Sequence, residues 1–136
     1  MPKIVIINTA EETMSLLGEV LGDEGFEIVS AYVVDLKRGE PDPKSFFAEH
    51  QPDAIVYDVA LPYEENWSFC INHVLPASGL SARRMVVTST NTRVLERLVG
   101  PTGAIEVIGK PYDLEALVRA TWRAARGEHD SPIDPP

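Results

Sequence analysis

Asp58, Thr88 and Lys110 each follow a short apolar run, and their side chains are of the types that phosphoryl transfer needs. Asp58 closes Ala54-Ile55-Val56-Tyr57, and Pro62 follows four residues later. Thr88 closes Met85-Val86-Val87, and Lys110-Pro111 follows the run over 104–108. A fourth run, 3–7, ends on Asn8-Thr9. If these runs are parallel strands of one open sheet, their carboxyl ends meet at the edge where ligands collect. A carboxylate there attacks phosphorus and forms an acyl phosphate. A hydroxyl and an ammonium hold the phosphoryl oxygens, where negative charge develops.

The elements needed to place these groups can be read from periodicity. Strands are expected over 3–7, 27–34, 54–57, 85–88 and 104–108, as near-continuous apolar runs suited to a sheet covered on both faces. A helix over 11–24 carries Met14, Leu17, Val20 and Leu21 on one face and stops at Gly25. A loop with Gly39, Pro41 and Pro43 follows the second strand, and Asp42 before Pro43 caps a short helix to His50. A short, poorly periodic helix lies within 67–74, before Pro76. Another spans 92–99, and Asp113 caps a last helix to about Arg126. Strand–helix alternation implies right-handed crossovers, a parallel sheet and helices on both faces.

The 136 residues fit one domain, with 1–126 folded and an acidic, proline-rich tail over 127–136 expected to be disordered. The net charge of −9 argues against a nucleic-acid partner. Its distribution is uneven. Residues 1–68 hold fourteen acids and four basic residues, whereas 83–126 hold eight basic residues and four acids. No apolar run is long enough to span a membrane, no signal peptide is evident, and the single cysteine, Cys70, excludes a disulfide framework. A cytoplasmic protein with no membrane partner is expected. Cys70 reads as a small buried hydrophobe, and His50, His73 and His129 show no metal-ligand spacing. A flavin or nucleotide phosphate loop would need glycines after the first strand, where Asn8-Thr9-Ala10-Glu11-Glu12 offers none and adds two acids.

Over residues 3–126 the chain resembles the receiver domains of two-component response regulators. The resemblance is carried by Asp58-Val59-Ala60-Leu61-Pro62, Thr88-Ser89, Gly103-Ala104 and Lys110-Pro111. It implies an α/β, flavodoxin-like, doubly wound sheet of five parallel strands in the order 2-1-3-4-5. It also implies Asp58 as phosphoacceptor, Thr88 as switch hydroxyl, Lys110 as the family's lysine, and a cis Lys110–Pro111 bond. The implied partner is a histidine kinase or a phosphotransfer protein. No enzymatic turnover is expected beyond phosphorylation and dephosphorylation at Asp58. A stand-alone receiver, without an attached output domain, is the expected organisation.

Two departures bear on mechanism. The positions of the family's metal-site acid pair hold Asn8 and Thr9. Mg²⁺ wants several hard oxygen ligands, and only Asp58 and the backbone carbonyl of Ala60 remain, so weak Mg²⁺ binding and no other cofactor are expected. Glu11 or Glu12 would have to reach the site to restore a ligand. Thr9 and Glu12 instead fit a capping box for the first helix. At the second departure, Val107 replaces the aromatic residue whose swing couples the site to the outer face. Asp58 itself is expected at a solvent-facing strand edge.

The last helix places Leu114, Leu117, Val118, Thr121 and Ala125 on one side and Arg119, Arg123 and Arg126 on the other, with Trp122 at the border. With Arg93 and Arg97 on the fourth helix (92–99) and Val107 on the fifth strand, this forms a candidate face for an acidic partner or a second copy. Two functions remain open. One is a phosphoacceptor at Asp58. The other is a phosphorylation-independent pseudo-receiver acting as a protein–protein interaction module. Tyr63 and Trp67, just after the Asp58 loop, either cover the site or pack the loop.

Overall fold

Three strands that are almost wholly dry form the centre of the molecule. β1 (Lys3–Asn8), β3 (Ala54–Asp58) and β4 (Met85–Ser89) are buried at every position except Lys3. The computed structural model describes residues 1–99, 106–109 and 113–127, with only the backbone of Thr92 and of 106–109. Two strands flank the centre, β2 (Glu27–Tyr32) and β5 (Glu106–Gly109). All pairings are parallel, and the strands lie in the order β2-β1-β3-β4-β5. Helices cover both faces, as expected of a flavodoxin-like chain.

Strand alternation divides the core into two layers. Val5, Ile7, Ile55, Tyr57, Met85 and Val87 face one layer with α2 (Val33–Arg38), α3 (Pro43–His50) and α4 (Tyr63–Phe69). Ile4, Ile6, Ala54, Val56 and Val86 face the other, with α1 (Glu11–Asp23) and α7 (Leu114–Ala125). Asn8, Asp58 and Thr88 share the parity of this second set, so all three leave their strands on the α1–α7 side.

Several elements differ from the sequence expectation. The second strand ends at Tyr32, where its partner ends, because Asn8 is the last residue of β1 to pair. Residues 33–38, expected as strand end and loop, form α2 instead. Val33 and Leu36 lie one turn apart on its buried side, and Gly39 closes it in the left-handed conformation at φ 75°. The third crossover helix is longer than 67–74. It begins at Tyr63 and continues through a π-helical turn, Cys70–Val74, into α5 (Leu75–Ser78). The wide turn lies just before Pro76, which has no N–H to donate.

The capping box at Thr9 and Glu12 is not formed. Ala10 is the N-cap of α1 and makes no side-chain cap bond, while the Asn8 side chain takes the free amides of Thr9 and Ala10. α6 (Thr92–Val99) begins and ends as expected. On α7, Asp113 caps as expected by accepting from Ala116 N, but the buried side is Leu117, Ala120, Thr121, Ala124 and Ala125, with Leu114 exposed. Trp122 packs on Phe26 with ring centroids 4.2 Å apart. Arg84 ties the far end of α7 to the sheet by donating to the carbonyls of Ala125 and Asp53. Among the described residues no helix is long and apolar enough to cross a membrane. The bonds Glu40–Pro41 and Leu61–Pro62 are cis, and Lys110–Pro111 lies outside the described residues.

Cys70 is fully buried as expected, its thiol 3.3 Å from Met85 Sδ. Burial pushes this thiol well above its ordinary range. Burial, then the nearby Cys70 and Asp58, do the same to Tyr57. A group held neutral in the fold but ionisable in the unfolded chain stabilises the fold only below its unfolded pKa. Unfolding free energy should therefore fall as pH rises past about 8.5, and again past about 10. Denaturant melts between pH 7 and 11 check this, and Cys70→Ala should remove the first fall.

Candidate functional site

At the carboxyl end of β3 the chain buries a carboxylate. Asp58 is 2% exposed, and Thr88, its registered neighbour on β4, is fully buried. Thr88 Oγ1 donates to Asp58 Oδ1 at 2.7 Å. The expected solvent-facing position of Asp58 is thus wrong. Val59 N donates to the Thr88 carbonyl, which carries the β3–β4 pairing one residue past the strand and encloses the side chain. Each strand is an unbroken apolar run up to this point, so these polar groups sit where the dry layer ends.

Asn8 completes the row. The last pair between β1 and β3 is Ile7 with Tyr57, so Asn8 and Asp58 are the next residues on adjacent strands. Asn8 is 1% exposed. Its Oδ1 accepts from the backbone N–H of Thr9 at 2.8 Å and of Ala10 at 3.0 Å. Its buried Nδ2 has no hydrogen-bond partner among the described residues. Thr9, Glu11 and Glu12 are exposed.

The loop after β3 is held by a residue that sequence reasoning missed. Asn66 on α4 is 4% exposed. Its Nδ2 donates to the Ala60 carbonyl at 2.7 Å, and its Oδ1 accepts from Lys37 Nζ on α2 at 2.7 Å. Its backbone carbonyl accepts from the Tyr57 hydroxyl at 3.2 Å. A signal was present, since Asn66, Cys70 and Val74 recur every four residues, which puts a polar side chain on an apolar stripe. The short helix expected over 67–74 started one residue too late to include it. Tyr63 joins the loops after β3 and β4, its hydroxyl 2.9 Å from Thr90 Oγ1, and Trp67 packs against the core.

These donors do not fit a divalent cation of the kind the resemblance implies. Mg²⁺ is held by hard oxygens, usually including carboxylates. The Asn8 oxygen is committed to two backbone amides, and the Ala60 carbonyl already accepts from Asn66. Among the described residues no cluster of three or more His, Cys, Asp or Glu could hold a metal. Asp58 is the one carboxylate in the row Asn8–Asp58–Thr88.

Lys110 lies outside the described residues, as does the side chain of Val107. Arg93 and Arg97 are exposed on α6. Arg119, Trp122, Arg123 and Arg126 line an open groove of about 500 Å³ on α7. Arg119 is exposed, 3.9 Å from Glu115, while Trp122 and Arg123 are half-buried. His50 packs on Phe46, His73 stacks on Phe69, and His129 lies outside the described residues.

Comparison with known proteins gives relatives along most of the chain. The uncharacterized transcriptional regulatory protein YvcP of Bacillus subtilis is 27% identical over 133 residues, covering 95% of this chain and 52% of that protein. The response regulator MprA of Mycobacterium ulcerans is 30% identical over 109 residues, 77% of this chain and 46% of that one. The chain thus spans about half the length of these curated relatives. Among solved structures, the chemotaxis protein CheY4 of Vibrio cholerae shares the fold with a TM-score of 0.61 at 20% identity, over 91% of this chain and 98% of that one. No family model matches the chain.

Asp58→Asn keeps an oxygen to accept from Thr88 and should change unfolding free energy by about 1 kcal/mol or less. Asp58→Ala leaves the buried Thr88 hydroxyl without that acceptor and should cost about 1–3 kcal/mol. Urea melts of the two variants check the difference. Equal losses would show that the Thr88 contact does not hold the site.

Proposed function

Since the chain belongs to the response regulator receiver domains of two-component signalling, we propose that Asp58 is its phosphoacceptor, supplied by the phosphohistidine of a histidine kinase or a phosphotransfer protein. The observation that carries this reading is the buried Asp58–Thr88 pair at the carboxyl edge of the sheet. A carboxylate oxygen of Asp58 attacks phosphorus, the P–O bond forms as the P–N bond breaks, and the imidazole leaves with the electron pair. The Thr88 hydroxyl, which donates to Asp58 Oδ1, turns to a phosphoryl oxygen and so couples the acyl phosphate to β4. Lys110 takes its role at the phosphoryl group from the family resemblance.

A second reading is compatible with the donor set at the same edge. With one carboxylate in the row and the Asn8 oxygen turned to the backbone, the domain works as a protein–protein interaction module whose state does not depend on phosphorylation. Transfer from a radiolabelled phosphohistidine protein separates the two readings. The first expects hydroxylamine-sensitive label on the wild type and none on Asp58→Asn. A folded wild type that takes no label, while still binding its partner, carries the second.

Under either reading the partner face is the one built from α6, β5 and α7. Basic residues gather over 83–126 while 1–68 is strongly acidic, which suits a second copy of the chain or an acidic partner. Arg119→Glu with Arg123→Glu should weaken association about tenfold or more without unfolding the domain. Sedimentation of wild type and variant at low and high salt checks this, because exposed charges are screened within about 8 Å at physiological ionic strength. Equal association of the two proteins would move the interface elsewhere.

A further inference from the structure

Among the described residues, the Ala60 carbonyl and the Asp58 carboxylate are the groups left to a cation at this edge, and the first is already engaged. Asn66 Nδ2 donates to it at 2.7 Å from a side chain that is 4% exposed. Behind that amide stands the Lys37 ammonium, its Nζ 2.7 Å from Asn66 Oδ1. An amide whose oxygen binds an ammonium is polarised, and its N–H becomes a stronger donor. The arrangement is held from three sides. Lys37 lies 3.6 Å from Glu65 and 5.6 Å from the centre of the Phe69 ring, and the Tyr57 hydroxyl bonds the Asn66 carbonyl. On the other side of Asp58, Asn8 presents a buried Nδ2, a donor, where a cation would need an oxygen.

We propose that Asn66, backed by Lys37, competes with a divalent cation for the Ala60 carbonyl. Its N–H occupies the Ala60 carbonyl and so disfavours Mg²⁺ at this edge. A phosphoryl group on Asp58 is then held independently of Mg²⁺. That last step rests on the phosphoacceptor reading, whereas exclusion of the cation does not.

The test reads metal binding by the full chain with no phosphodonor present, using Mn²⁺ and paramagnetic line broadening, with Mg²⁺ as competitor. Wild type should show no saturable binding at millimolar metal. Asn8→Asp with Thr9→Asp restores two acids and should bind weakly. Adding Asn66→Ala to that pair frees the Ala60 carbonyl and should tighten binding roughly five- to tenfold, the worth of one competing hydrogen bond. Asn66→Ser carries the comparison if Asn66→Ala melts early, and the Tyr57 bond survives both because it uses the backbone carbonyl. Tight binding by wild type, or equal binding with and without Asn66, overturns the proposal. Label on Asp58 that survives EDTA supports it, and label that needs Mg²⁺ overturns it. A wild type that excludes metal but takes no label defeats the phosphoacceptor reading and leaves the exclusion standing.

Discussion

A carboxylate taken out of water needs donors around it, and the site is arranged around that demand. Asp58 ends a strand whose every residue is buried, between two other strands that are almost as dry. The Thr88 hydroxyl meets it at 2.7 Å, and this contact joins the last positions of β3 and β4. Polar chemistry is confined to this edge because the apolar runs of the three central strands stop there.

Among the described residues, Asp58 shares its row with two neutral side chains, Asn8 and Thr88. Asn8 folds its oxygen back over the start of α1, so it terminates the strand and leaves no oxygen pointing into the site. Asn66 pins the loop beyond Asp58 by the Ala60 carbonyl. Lys37, on a different helix and paired with Glu65, binds the oxygen of the same amide. At Asp58 itself the Thr88 hydroxyl donates to Oδ1.

Much of the architecture was legible in local pattern. The apolar runs that became β1, β3 and β4 are short, continuous and bounded by polar residues, so their period and length left little room for helix. Asp42 and Asp113 capped the helices they were expected to cap. The errors came where local preference and tertiary pairing disagreed. Val33 and Val34 favour a strand by type, yet β1 ends opposite Tyr32 and offers them no partner. Thr9 and Glu12 had the spacing of a capping box, but the Thr9 amide that Glu12 would have taken is held by Asn8. Leu114 had the right phase for the core and lies outside it, while Ala120 and Ala124 are among the residues that α7 buries.

By itself the sequence determined the layered α/β class and the residues that end the central strands. Hydrophobic period and chain direction are local properties, and a parallel sheet converts them directly into one polar edge. The burial of Asp58, the turn of the Asn8 amide and the Lys37–Asn66–Ala60 chain were decided only by tertiary structure. Lys37 and Asn66 are twenty-nine residues apart, on helices whose packing brings them within 2.7 Å. A contact of that kind follows from how two helices sit on one face of a sheet, and spacing along the chain does not encode it.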